Sequence, residues 1–178
     1  MKWKEFSPTI YFLLKFVGFY LIGNLLYGLF VTTFEPKPDP MTKWVTNQTA
    51  WVITVSGWPA ETVHHSARPT TSILYQNQAI VSVYEGCNGI NVMIVFLAFV
   101  FAFGPIGKTL SWFAPVALLI IHISNLLRII FLFWVTLYLP NFLYLMHKYF
   151  FTAFIYAIVF IIWIIWVKKF AITTREEP

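Results

Sequence analysis

The chain has a single cysteine, Cys87, and very little charge. One cysteine excludes an intramolecular disulfide and argues against a cysteine-rich metal site. Charged residues make up 11% of the 178 residues, against roughly 25% in an ordinary soluble domain. Polar sequence is also scarce and gathers in one stretch, residues 35–86. The net charge of +5 does not point to nucleic acid, because the basic residues are scattered and mostly flank apolar runs, as topology signals do. Aromatics, by contrast, are plentiful, with 19 Phe, 9 Tyr and 8 Trp, and such rings favour membrane interfaces. The composition is that of an integral membrane protein of one domain's length.

A spanning helix needs about 20 apolar residues. Four runs qualify: residues 10–31, 88–104, 110–139 and 142–167, followed by a charged tail at 168–178. The first follows Ser7-Pro8 and carries Lys15 and Asn24. It lacks a small-x-small cleavage site before Thr32-Thr33, so it reads as an uncleaved anchor rather than a signal peptide. The third is interrupted only by Pro115. At about 45 Å of helix it is longer than the roughly 30 Å hydrocarbon core, and must tilt or protrude.

Within the polar stretch, Glu35-Pro36-Lys37-Pro38-Asp39-Pro40 is a helix-breaking linker. Met41, Trp44, Val45, Gln48, Trp51, Val52 and Val55 then recur at spacings of three and four, which predicts an amphipathic helix lying along the bilayer surface on its tryptophan-bearing face. Ser72-Ile73-Leu74-Tyr75 and Ala79-Ile80-Val81-Ser82-Val83-Tyr84 flank Gln76-Asn77-Gln78 and predict a β-hairpin that leads into Cys87. The expected fold is an all-α polytopic membrane protein of about four transmembrane helices, forming a single membrane domain over residues 1–178 with a small extracytoplasmic hairpin and an interfacial helix. With four spans, Lys2, Lys4, Lys108, Lys168, Lys169 and Arg175 fall on one side. The positive-inside rule makes that side cytoplasmic and puts both termini there, with the 35–86 loop outside.

Three residues stand out chemically. Cys87 lies in Glu85-Gly86-Cys87-Asn88-Gly89-Ile90, at the expected start of the second span. A lone cysteine is most often a small buried hydrophobe. At a helix N-terminus, flanked by Gly86 and Gly89, it is also placed to be a stabilised thiolate and a nucleophile. Arg128 lies inside the third span, and an arginine there is costly. Ser124 and Asn125 join it in a polar stripe that faces protein or water rather than lipid. Its bland reading is a snorkelling or interhelical arginine; its chemical reading is a group that holds a carboxylate or an oxyanion. His147, near the start of the last span, is the histidine best placed to serve Cys87, although its neighbours Tyr144, Lys148 and Tyr149 also suit an interfacial residue. His122 is the rival proton carrier. His64-His65 in the outer loop lack a surrounding ligand set, so no metal or other cofactor is expected.

The order Cys87-Asn88-Gly89-Ile90, then Asn125-Leu126-Leu127-Arg128-Ile129, then His147 resembles the exosortase and archaeosortase family of membrane cysteine transpeptidases. The similarity covers about residues 70–168, and the short chain resembles the compact exosortase F type. Asn88 departs from the serine frequent in relatives, and His147-Lys148-Tyr149 from the small residues expected after the histidine. The resemblance implies a bacterial inner-membrane enzyme with an outward-facing site. Cys87 would be the nucleophile, Arg128 the oxyanion or substrate stabiliser and His147 the general acid/base, with Asn125, Ser124 and Gly89 in support. It implies as partners exported proteins that carry a C-terminal hydrophobic sorting helix. It leaves open whether water or an amine resolves the acyl-enzyme and whether a small membrane partner takes part. Two other classes compete with this reading. One is a non-enzymatic membrane assembly subunit, with Arg128 as an interhelical polar contact. The other, a small-solute transporter, is weaker because the chain has no internal repeat or interrupted helix pair.

Overall fold

A computed structural model describes residues 3–104 and 107–171. Lys2 and Arg175, two of the charges that set the expected orientation, lie outside them, as do most of the tail and Pro105 and Ile106 of Gly104-Pro105-Ile106-Gly107-Lys108, a sequence that predicts a tight turn between the second and third spans. The side chain of Lys4 is likewise not described.

Helix α1, Trp3–Thr32, is exposed along most of its length, with Leu14, Leu25 and Tyr11 each more than 60% open. Such a surface suits lipid rather than water. Two of its polar residues are satisfied locally: Asn24 donates to the Tyr20 carbonyl, and the Lys15 ammonium sits 4.4 Å from the centre of the Tyr11 ring. Helix α4, Lys108–Tyr138, runs unbroken through Pro115. A C-terminal helical run, Pro140–Phe170, follows. These three helices are long and apolar enough to cross a membrane. Helix α3, Ile90–Phe103, is apolar but has only 14 residues, about 21 Å of rise. Of the four spans expected, this one is a short helix that starts at Ile90 rather than at 88. Phe96, Phe113, Ala117, Val159 and Trp166 form the core between α3, α4 and the C-terminal run. Gly23 lets α1 approach α3, since a Cβ there would lie 2.7 Å from Ile94 Cγ2.

Helix α2, Pro40–Val55, starts one residue before the expected periodicity. Asp39 caps it by accepting from the Met41 and Thr42 amides, with Pro40 in the first turn. Its buried face is not the tryptophan face. Thr42, Val45, Thr46, Thr49, Ala50 and Ile53 are buried, while Trp44 and Trp51 are 48% and 67% exposed. Thr46 and Thr49 donate their hydroxyls to the carbonyls of Thr42 and Val45 in the preceding turn, which leaves their methyl groups to pack inward.

The expected hairpin is part of a three-stranded antiparallel sheet in the order β1-β2-β3, with β1 Ala60–His64, β2 Thr70–Tyr75 and β3 Gln78–Tyr84. Gln76 and Asn77, both at positive φ, make the two-residue turn between β2 and β3. Ile73 pairs with Val81 and Leu74 with Ala79, so Ile80 is an extra, bulged residue. The sheet packs against α2 and α4 through Val45, Ile53, Ile73, Val83, Ile129 and Phe133, and Cys87 belongs to the same cluster. The sheet thereby anchors the segment that carries the thiol.

Candidate active site

After β3 the chain makes a 3₁₀ turn, Glu85–Cys87, before α3 begins. Cys87 therefore precedes the helix rather than opening it, and the first amide of α3, Ile90 N–H, donates to Asn88 Oδ1 at 3.0 Å. The expectation that a helix dipole acts directly on the thiol is corrected accordingly. What holds the elbow is a set of buried polar contacts. Asn88 Nδ2 donates to the Tyr27 hydroxyl at 2.6 Å and to Thr42 Oγ1 at 3.1 Å, and the Thr42 hydroxyl donates to Asp39. Asp39, Thr42 and Asn88 are all essentially inaccessible, so this chain ties α1, α2 and the elbow together without water. Gly89 has φ +89°, and a Cβ on it would lie 3.1 Å from Asn125 Cγ and Nδ2. Glycine is needed there on both counts.

The residues on α4 divide. Asn125, fully buried, donates from Nδ2 to the Cys87 carbonyl at 3.1 Å. One turn on, Arg128 keeps its Nε buried with no hydrogen-bond partner. Ser124 is not brought to the site: its hydroxyl donates to the Ile120 carbonyl of its own helix. His122 points elsewhere too, with Nε2 2.8 Å from Gln48 Oε1 and its ring stacked on Trp44 at 4.8 Å. His147 sits on a π-helical turn, Met146–Phe150, of the C-terminal run, a device that inserts a residue and re-aims side chains. Its Nε2 lies 3.8 Å from Cys87 Sγ. The 3₁₀ turn, α4 and the π turn thus bring Cys87, Arg128 and His147 together, and the structure separates the two candidate histidines.

Two clefts meet at these three residues. One, of about 380 Å³, runs between β3 and the end of α4, with Val81, Ser82, Leu132, Thr136 and Tyr144 in its walls. The other, of about 340 Å³, opens between α3 and the C-terminal helix past Tyr84, Asn91, Thr152 and Tyr156. Cys87, Arg128 and His147 line both.

Tyr84 was not singled out by sequence. Its ring folds over Gly86, where a Cβ would meet Cε2 at 2.4 Å. The charge of Cys87, then a hydrogen bond to its sulfur, then burial push the Tyr84 hydroxyl above the ordinary tyrosine range, so it stays a proton donor beside the thiol. A tyrosine three residues before a candidate nucleophile is the one signal that could have flagged it. His64 and His65 engage the hydroxyls of Thr71 and Ser72 at 3.1 and 2.9 Å. Among the described residues, no three His, Cys, Asp or Glu side chains gather where a metal ion could be held.

A cysteine and a histidine drawn within reach inside a helical membrane scaffold define the class, a membrane protein built around a thiol–imidazole pair. Residues 8–167 match the family model of the transmembrane exosortases (Exosortase_EpsH), and the chain belongs to that family. No curated protein and no solved structure matches it. Membership of that family points to a membrane sorting protease or transpeptidase of the cysteine-peptidase kind.

Proposed function

We propose that the protein cuts C-terminal sorting signals from exported proteins through a thioester on Cys87. The observation that carries this reading is the 3.8 Å approach of Cys87 Sγ to His147 Nε2 beside an arginine whose Nε has no partner. A buried guanidinium nitrogen left without a partner, as Arg128 Nε is, is costly. An oxyanion formed next to it would offset that cost, which is how such a group favours a transition state.

The chemistry then runs as follows. His147 takes the thiol proton, and the Cys87 sulfur attacks the scissile carbonyl carbon. Negative charge gathers on the carbonyl oxygen, and Arg128 stabilises it. The C–N bond breaks, and the imidazolium returns its proton to the leaving amine of the C-terminal segment. That leaves a thioester on Cys87. Water or an amine attacks the thioester while His147 accepts its proton, and the thiol is restored. Asn125 acts by holding the Cys87 carbonyl, and Gly89 by leaving room for it.

In this reading both termini are cytoplasmic and the sheet lies outside the bacterial inner membrane, the orientation that Lys108, Lys168 and Lys169 favour. The shortness of α3 supports a site within the outer leaflet. A helix of about 21 Å rising from the cytoplasmic edge ends below the outer surface of a roughly 30 Å core. The scissile bond of a substrate anchored by an apolar helix would lie at that depth.

The test is a thioester trap. Membranes containing this chain, with exported proteins present, are quenched in acid and probed for a hydroxylamine-labile adduct on Cys87. The reading expects a substrate fragment there, absent from Cys87→Ala. An unmodified Cys87 in cells that are demonstrably trimming tails would overturn it. Under the assembly-subunit alternative, Cys87→Ser is silent and Arg128→Ala disperses a complex.

A further inference from the structure

The cleft beside β3 has an unusual wall. Ile80, Val81, Ser82 and Val83 all line it. Consecutive side chains of a strand point to opposite faces, so a cleft that meets four in a row runs along the strand's edge rather than beneath one face. Among the described residues no strand pairs with that edge, because β3 ends the sheet. An unpaired strand edge is a row of backbone donors and acceptors, a template for another extended chain. The Ile80 bulge breaks the regular edge at one end. At the other end the strand leads through Tyr84 directly to Cys87.

We propose that the stretch of substrate on the N-terminal side of the scissile bond adds to β3 as a short fourth strand, parallel to it, which delivers the carbonyl to Cys87. This rests on the peptidase reading above. The direction follows from the second cleft. Beyond Cys87 the cavity continues along α3 and the C-terminal helix, past Asn91 and Thr152 to Ile155 and Tyr156, away from the sheet and toward the bilayer that must hold an apolar tail. A chain that passes from the strand edge across Cys87 into that cavity runs in the same sense as β3. The bulge bounds the pairing to the segment from Val81 to Tyr84, so the recognised stretch is about four residues long, with about 3.3 Å between successive residues. Backbone pairing supplies affinity, and the side chains of Leu132, Thr136 and Tyr144 on the opposite wall select among sequences.

Photo-crosslinking tests this in cells. The full chain carries Cys87→Ala, to retain substrate, and p-benzoylphenylalanine at Ser82, Tyr84 or Thr152, each at normal membrane abundance. Captured exported proteins are mapped by mass spectrometry. Strand addition expects Tyr84 and Ser82 to capture residues two apart, the Ser82 partner being the more N-terminal, both before the cut. Thr152 should capture residues after it. A probe at Val81 serves if the Ser82 variant does not accumulate, and should capture the residue just N-terminal to the one expected from Ser82. Capture of the apolar tail from β3, the reverse order, or no capture from β3 while Thr152 captures would overturn the proposal. Whether tails are retained in Cys87→Ala cells is read in parallel. Retained tails with wrong captures sink strand addition alone. Identical tails with and without Cys87 sink the peptidase reading, and strand addition with it.

Discussion

Asn125 holds the carbonyl oxygen of Cys87 from a helix 38 residues away, through a 3.1 Å hydrogen bond that Gly89 makes room for. The nucleophile is therefore placed by its backbone, and its side chain is left to face His147. Gly89→Ala puts a methyl group against Asn125 at a backbone angle that alanine resists. It should lower thermal stability in detergent by about 1–3 kcal/mol and reduce tail removal. Asn125→Ala should cost about 1–3 kcal/mol by leaving the Cys87 carbonyl unpaired. Thermal unfolding beside a processing assay at equal abundance checks both. Wild-type stability in both variants would remove the positioning role.

Arg128 is expected to matter through its fork as well as its charge. Arg128→Gln should reduce processing about 10²–10³-fold, as loss of an oxyanion donor does. Arg128→Lys keeps the charge but not the planar donor set, and should recover only a small part. The comparison is made on cleavage rates of one substrate in membranes. Full activity in the lysine variant would show that a point charge suffices.

The two histidines should separate cleanly. His147→Ala removes the group next to Sγ and should slow processing about 10²–10⁴-fold with little change in unfolding temperature. His122→Ala breaks the contact to Gln48 and the stacking on Trp44, and should destabilise by about 1–2 kcal/mol while leaving the cleavage rate per folded molecule near normal. The reverse pattern would exchange their roles.

Tyr84 offers a test by pH. Its hydroxyl is pushed up first by the charge on Cys87. A nearby negative charge disfavours phenolate, so removing it must lower the ionisation midpoint. Cys87→Ala should therefore bring Tyr84 back down toward the ordinary tyrosine range, as followed by NMR on ring-labelled tyrosine. An unchanged midpoint would mean that the sulfur and the phenol do not interact.

How far the sequence could be read depended on the range of the interactions. Apolar runs long enough to span a bilayer are a local property, and the helices at Trp3–Thr32, Lys108–Tyr138 and Pro140–Phe170 follow from them. Arg128 stands out inside an apolar run, Cys87 as the single thiol at the head of a span, and His147 by its place near the start of the last span. The buried face of α2 was hidden because a threonine that turns its hydroxyl into its own helix packs like an apolar residue, as Thr46 and Thr49 do. Strand β1 carries Glu61, Thr62 and His64 and exists through its pairing with β2, which no local pattern announces. The Tyr27–Asn88–Thr42–Asp39 chain joins residues up to 61 positions apart. Asn88 looked like a departure from the related pattern, yet it is the hub of that chain.

The most direct test of the central claim is mass spectrometry of the C-termini of exported proteins, from cells carrying this chain or its Cys87→Ala variant at equal membrane abundance. The account predicts a set of proteins that keep their hydrophobic tails only in the variant, with cut sites that share a short motif. Identical C-termini in the two strains, with tail-bearing proteins expressed in both, would contradict it.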